Sequence, residues 1–473
     1  MSENLNEQTK SGAPQTEVCW QVYRPQTWLQ HLLFVIAALA TGCVAWFFWF
    51  SEEEGNRWFD HLRDEQFMTE SVWVFPAPVI NIIIPMVTVT LSMLVILQLR
   101  LRFFPGTEGT GIPQAIAALN VPDGPIRKQM LSWRIAIGKT FLLVLGLFTG
   151  MTIGREGPSV HVGACIMYMI SKITRFPQNL VQRGLILGGG AAGIAGAFNA
   201  PIAGGIFALE EIGRSFEKNN VGTILRTVLL ACLVVILFRG TDYLFYGRVD
   251  LDVGNWPLRQ WLAIPIIGGI GGVLGGIFSR TVVGSTRMIN PVLRRHRVLV
   301  PLGLGGSLAL IGFFSGGESY GSGFAQAQSI LIDGSEYPWH YGPMKALASY
   351  VCLISGIPGG LFDPSLSVGA GLGQTLQPML VYLFPELDPT AIIMLFMVAY
   401  FSGVVQSPIT CAVIMVEMTA ARFMTIPLLA VSIIAYEFSH RICRTAIYEA
   451  LAEIFLGGIR ERERTQCVEM KSQ

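Results

Sequence analysis

The most constraining feature of this chain is the run Trp28 to Phe50, 23 residues without a charge. A helix of that length crosses a bilayer core of about 30 Å. Further apolar segments lie near 72–99, 141–151, 184–212, 222–238, 261–279, 298–314, 344–357, 390–405, 408–417 and 425–437. Many are short, and most are broken by glycine or proline, of which the chain has 52 and 25. Broken helices at membrane depth are tolerated where the backbone is buried or lines a polar cavity. Only 14% of residues are charged, against about 25% in a soluble domain. The expected fold class is an all-α integral membrane protein of tilted and broken helices, a transporter or channel pattern more than a receptor pattern.

Charge placement gives an orientation. The loop expected after the first span holds Glu52, Glu53, Glu54, Asp60, Asp64, Glu65 and Glu70. The second span is followed by Arg100, Arg102, Arg127, Lys128 and Arg134; Arg294, Arg295, Arg297, Arg441, Arg444 and Arg460 come later. The positive-inside rule puts the basic side in the cytoplasm. Residues 1–27 are polar, lack the apolar core of a signal peptide and read as a cytoplasmic tail. A net charge of +1 gives no basic footprint for nucleic acid. The eight cysteines form no CxxC pair and the six histidines no HExxH. No disulfide framework and no metal site is expected.

The chain also repeats itself. TGMTIGREGPSVHVGA (149–164) aligns without gaps with SGIPGGLFDPSLSVGA (355–370), offset 206, with seven of 16 positions identical. EGTGIPQA (108–115) matches YGSGFAQA (320–327) at offset 212, and NAPIAGGIFALE (199–210) matches QSPITCAVIMVE (406–417) at 207. Common order and nearly common offset imply two homologous halves. Such duplication, with matching broken segments, points to inverted-topology repeats and a site between them. The expected division is a repeat over about 70–240 and another over about 255–455.

The repeated blocks suggest chemistry. In Gly109-Thr110-Gly111-Ile112-Pro113 and Gly154-Arg155-Glu156-Gly157-Pro158, glycine and a polar residue precede a proline suited to a first helical turn. A helix beginning at mid-membrane presents unpaired N–H groups and roughly half a positive charge. Several such ends would hold an anion without a full cation. A buried carboxylate at Glu156 would mimic that anion, compete with it, and leave on protonation. The competing reading is an exposed turn in which Glu156 pairs with Arg155.

Other motifs carry less. GGGAAG (188–193) satisfies GxGxxG, but it lacks a βαβ context and reads as close helix packing. GKT (138–140) lacks the earlier glycine of a Walker motif, so no nucleotide site is expected. Lys139 in an apolar segment is read as a structural partner that raises local positive potential. His161 reads as a packed polar residue, and RERER (460–464) as a solvated helix end. Glu210 and Glu211 end an apolar run before Arg214; a solvated helix end and a functional acid are equally open at this point.

These residues resemble the CLC chloride channel and transporter family. Its GSGIP, GREGP and GxFxP segments are matched by GTGIP (109–113), GREGP (154–158) and Gly360-Leu361-Phe362-Asp363-Pro364, followed by Tyr448 in AIYEAL. AGAFNAPIAGGIFALEE (195–211) is also similar, and the resemblance covers about 28–455. It implies a homodimer with one anion pathway per subunit. It implies chloride contacts from the Thr110 hydroxyl, the Tyr448 phenol and the Leu361 and Phe362 backbone N–H groups. Glu156 would be the outer gate and Glu211 the inner proton-transfer acid of an exchanger. The implied function is proton–chloride antiport in a bacterial inner membrane, both termini cytoplasmic, with chloride and protons as ligands and no cofactor. The alternative is a passive chloride channel of the same fold. A membrane-embedded enzyme would need a catalytic constellation, and the sequence offers none. No regulatory nucleotide-binding domain is expected in the 25 residues after Tyr448. Two positions depart from the family pattern. Thr110 replaces the common serine but keeps a hydroxyl. Asp363 stands where an apolar residue is common, and a carboxylate there repels anions unless paired or turned away.

Overall fold

The structure, a computed structural model, describes residues 25–63, 77–173, 179–213, 218–251 and 256–471. Among them there is no strand, only one isolated backbone bridge, and six helices are long and apolar enough to cross a membrane. Outward faces are apolar: Leu229 and Leu237 on the Lys218–Arg239 helix are 61% and 74% exposed. This suits a lipid solvent rather than water.

The first helix does not stop where its apolar run ends. It continues through the segment expected as a loop, as Pro25–His61. Arg57 pairs with Glu53 and, at 2.6 Å, with Glu54 one turn back, spacings that support a helix. Glu52 faces inward and is buried. Residues 1–24, Asp64, Glu65, Glu70 and Arg214 lie outside the described residues, as do the side chains of 462–464 in RERER. The second span runs as Ala77–Phe103 with Pro85 inside.

Small residues set the helix contacts. Gly163 of the Glu156–Ile173 helix lies against Gly189 of the Asn179–Phe198 helix, and Ser159 against Gly193. The GGGAAG run is therefore a packing surface. In the second half, the Ala263–Arg295 helix presents Gly271 and Gly275 to Ala399 and Gly403, and Gly272 and Gly276 to Ala435 and Ser439. Without a hydrophobic drive between helices in lipid, such close backbone approach supplies much of the attraction.

The two halves are knit by equivalent bonds. Gly109 N donates to Gly356 O at 3.1 Å, and its counterpart Gly321 N donates to Gly150 O at 3.2 Å. Gly154 and Gly360, counterparts of each other at offset 206, form the antiparallel bridge. A pair that maps onto itself marks where the axis between the halves passes. Four loops meet there, around 107–111, 149–155, 317–323 and 355–361.

Candidate functional site

Broken helices begin at these loops. Ile112–Leu119 starts after Gly111, whose φ of 94° suits glycine, and Pro113 occupies its first turn. Glu156–Ile173 starts with Glu156, Gly157 and Pro158, and Phe362–Leu383 starts with Phe362, Asp363 and Pro364 after Leu361. All three starts are buried, so their N–H groups face protein rather than water. Gly157 lets Thr110 approach: a Cβ there would stand 2.9 Å from Thr110 Cβ. The first two motifs are therefore in contact, and the bridge joins the second to the third.

The polar side chains at this junction are buried, and several of their atoms have no hydrogen-bond partner. Thr110 is 2% exposed, Glu156 and Tyr448 0%. Thr110 Oγ1, Tyr448 OH and both Glu156 carboxylate oxygens have no hydrogen-bond partner among the described residues. Buried polar groups are normally paired, so the two hydroxyls, as free donors, suit an anion, and the carboxylate suits the place an anion would take. The Glu156 carboxylate folds back over Gly154 and Gly360 toward Pro364. Phe362 is held in an aromatic box by Phe401 at 4.8 Å, Phe207 at 5.8 Å, Phe198 at 6.0 Å and Tyr448 at 6.2 Å. Tyr448, on the Ile447–Lys471 helix, is in electrostatic range of both Glu156 and Glu211.

Two of the competing readings do not fit the structure. Glu156 is not an exposed turn residue paired with Arg155. The Arg155 guanidinium binds Glu52 of the first helix at 2.6 Å, with both side chains 3% exposed. Glu211 is not a solvated helix end. It is 1% exposed in the π-helical turn Ala208–Gly213 and accepts a hydrogen bond from Ser407 of the other half. Sequence reasoning missed Glu52 and Ser407, because neither lies near its partner in the chain.

Lys139 is a structural partner, as its sequence setting suggested. Its Nζ donates to Thr107 O at 3.2 Å and Gly109 O at 2.8 Å, bracing the loop that presents Thr110. His161 is buried, with Nε2 2.9 Å from Met130 O. Cys165, Cys232, Cys352 and Cys411 are free and buried; Cys19 and the Cys467 side chain lie outside the described residues. A cavity of about 300 Å³ leads to Thr110, lined in part by Arg100, Glu108, Asn290, Arg294 and Arg297. Arginines in a cavity lining favour anions there.

A family model described as voltage gated chloride channel matches residues 91–440. The H(+)/Cl(-) exchange transporter ClcA of Vibrio cholerae serotype O1 is 29% identical over 368 residues, covering 74% of this chain and 75% of that protein. A slow cyanobacterial Cl-/H+ antiporter shares the fold with a TM-score of 0.76 and 23% identity, covering 92% of this chain and 99% of the other. A CLC-type fluoride/proton antiporter gives 0.72 and 20%, covering 89% and 97%. With its 149–155 and 355–361 loops paired across two repeats and its family model spanning most of its length, this chain belongs to the voltage-gated chloride channel family.

Proposed function

We propose that this protein exchanges chloride for protons across a membrane. One observation carries the reading: the Glu156 carboxylate is fully buried and without a hydrogen-bond partner where the two filter loops cross. As a carboxylate it occupies the anion's place at the helix start; protonated, it loses the charge that holds it there and yields to chloride. Thr110, Tyr448 and the backbone N–H groups of Leu361 and Phe362 hold the chloride. Glu211 relays protons to the cytoplasmic side, and its burial beside Ser407 supports this role over that of a solvated acid. Carboxylate and chloride exclude each other from one site, which couples the two movements without covalent chemistry. The exchange activity in the relatives' names supports the same reading.

The reading extends to the whole chain. Repeats over about 70–240 and 255–455 form the transport unit, two copies of the chain assemble as a dimer, and both termini face the cytoplasm of a bacterial inner membrane. Transport uses no cofactor, metal or nucleotide. The test uses purified protein in sealed liposomes with an outward chloride gradient, no pH gradient and the voltage clamped at zero. External pH should rise as protons enter against chloride, and Glu156→Gln should abolish that rise while chloride still leaves. Chloride loss without proton movement in the unmodified protein would make it a passive channel.

A further inference from the structure

The acid at position 363 is not explained by gating through Glu156 alone. Asp363 is 0% exposed, and neither carboxyl oxygen has a hydrogen-bond partner among the described residues. An acid in a first helical turn ordinarily accepts backbone N–H groups or a cation. Asp363 does neither. The Glu156 carboxylate lies over Gly360 and beside Pro364, the residue after Asp363, and the two carboxyls are within reach for one to donate to the other once either carries a proton. Glu52 and Arg155 face Asp363 as well, and Tyr246 lies in electrostatic range. Arg155 is bound to Glu52 at 2.6 Å. Asp363 and Glu156 are in electrostatic range of that guanidinium but form no ion pair with it. Under the 206-residue offset the counterpart of Asp363 is Gly157, which has no side chain, so the repeated architecture does not require an acid there.

Two like charges about 4 Å apart repel by about 1 kcal/mol in water and about 4 kcal/mol at an effective dielectric of 20. A proton shared between them removes that repulsion. We propose that Glu156 and Asp363 form a proton-sharing carboxyl pair, and that chloride enters only when both carry protons. Asp363 is thereby a second proton-holding residue of the exchange. The inference rests on the assignment of Glu156 as gate. When Glu156 leaves with the shared proton, Asp363 is left charged beside the anion's place, and a second proton neutralises it before chloride binds.

The test is chloride efflux from liposomes, followed from acid to neutral pH, for the unmodified protein, Glu156→Gln, Asp363→Asn and the double variant. With Glu156→Gln the gate is gone but Asp363 remains. Efflux should therefore still fall as pH rises, approaching about tenfold per pH unit above the midpoint of Asp363. Adding Asp363→Asn should make the profile flat. A flat profile in Glu156→Gln, or a slope that survives in the double variant, overturns the pair. Asp363→Ala, small and apolar, carries the same expectation should the asparagine variant not fold. Infrared spectroscopy gives an independent reading. At neutral pH the unmodified protein should show the carbonyl band of a buried protonated carboxyl that Asp363→Ala weakens; no change on substitution overturns the shared proton. Failure of the exchange reading looks different, because the unmodified protein would then move chloride without protons whatever these slopes are.

Discussion

Glu210 and Glu417 each close a helix that belongs to the other repeat. Glu210 accepts the backbone N–H groups of Ile409 and Thr410 at 3.1 and 2.7 Å, and the Thr410 hydroxyl at 2.6 Å. Glu417 accepts those of Ile202 and Ala203 at 3.1 and 2.7 Å. The two acids are counterparts at offset 207, as are the prolines that open the capped helices, Pro201 and Pro408. A helix start within a membrane protein has little water to satisfy its N–H groups, so a carboxylate from the facing helix does it.

The reciprocity predicts matched costs. Glu210→Ala and Glu417→Ala should each destabilise the protein by about 0.5–2 kcal/mol, the range for a lost helix cap. Thermal denaturation in detergent, followed by loss of the folded species on size exclusion, should show similar drops. Chloride binding should be unaffected, since neither acid reaches the filter loops. A large effect from one variant and none from the other would mean that the caps are not equivalent.

Much of this was legible in the sequence because few charges and regular offsets left little freedom. Gapless alignment of 149–164 with 355–370 already paired Gly154 with Gly360, and the structure joins those two residues by hydrogen bonds. Glycine–proline spacing located the helix starts because proline is favoured in a first helical turn, where its missing N–H costs nothing. What escaped was contact between distant segments. Glu52 read as part of an acidic loop because apolarity ends at Phe50, but i, i+3 and i, i+4 pairs carry the helix on to His61 and bring Glu52 to Arg155. Lys345 was findable: it stands at offset 206 from Lys139, just upstream of the aligned block. Which way the Asp363 carboxyl turns has no local signature.

Lys139 and Lys345 should separate binding from stability. Lys345 Nζ donates to Ser319 O, Tyr320 O and Gly321 O at 3.2, 2.9 and 3.0 Å, repeating in the second half what Lys139 does in the first. Replacing either by methionine leaves buried carbonyls without their donor, at about 1–3 kcal/mol for each group. Both variants should melt earlier. Only Lys139→Met should also weaken chloride binding by isothermal titration, because its loop carries Thr110, whereas the 317–323 loop carries no proposed ligand. Equal loss of affinity in both would place Lys345 closer to the anion than this arrangement allows.

The Arg155–Glu52 pair should respond as a buried ion pair. Arg155→Met leaves Glu52 charged without its partner and should cost about 3–5 kcal/mol. Glu52→Leu alone should cost less, because Asp363 and Glu156 remain in electrostatic range of the guanidinium and Arg155 keeps its bond to Ala197 O. The double variant Arg155→Met/Glu52→Leu should regain most of the stability of the unmodified protein, since a well-packed apolar pair often replaces a buried ion pair without loss. A double-mutant cycle on thermal stability checks this; additive losses would show that the two residues act separately.

Gly360 should prove to be where the gate finds its room. A Cβ added there would stand 2.6 Å from Glu156 Oε2, 3.0 Å from the Gly154 carbonyl carbon and 3.1 Å from Glu156 N. The first of these atoms ends a flexible side chain and can move, whereas the other two are backbone in the paired loops. Gly360→Ala should therefore displace the Glu156 carboxylate while leaving the fold in place. An overpacking penalty of about 1–3 kcal/mol falls on the closed position and lowers its occupancy by roughly 5–150-fold. Chloride efflux at neutral pH should rise, and the number of protons moved per chloride should fall. Gly306→Ala is the control, because a Cβ there meets nothing within 4 Å. If Gly360→Ala keeps full coupling and ordinary efflux, the carboxylate does not close the path from the position it occupies over the Gly154–Gly360 bridge, and the gate acts from elsewhere.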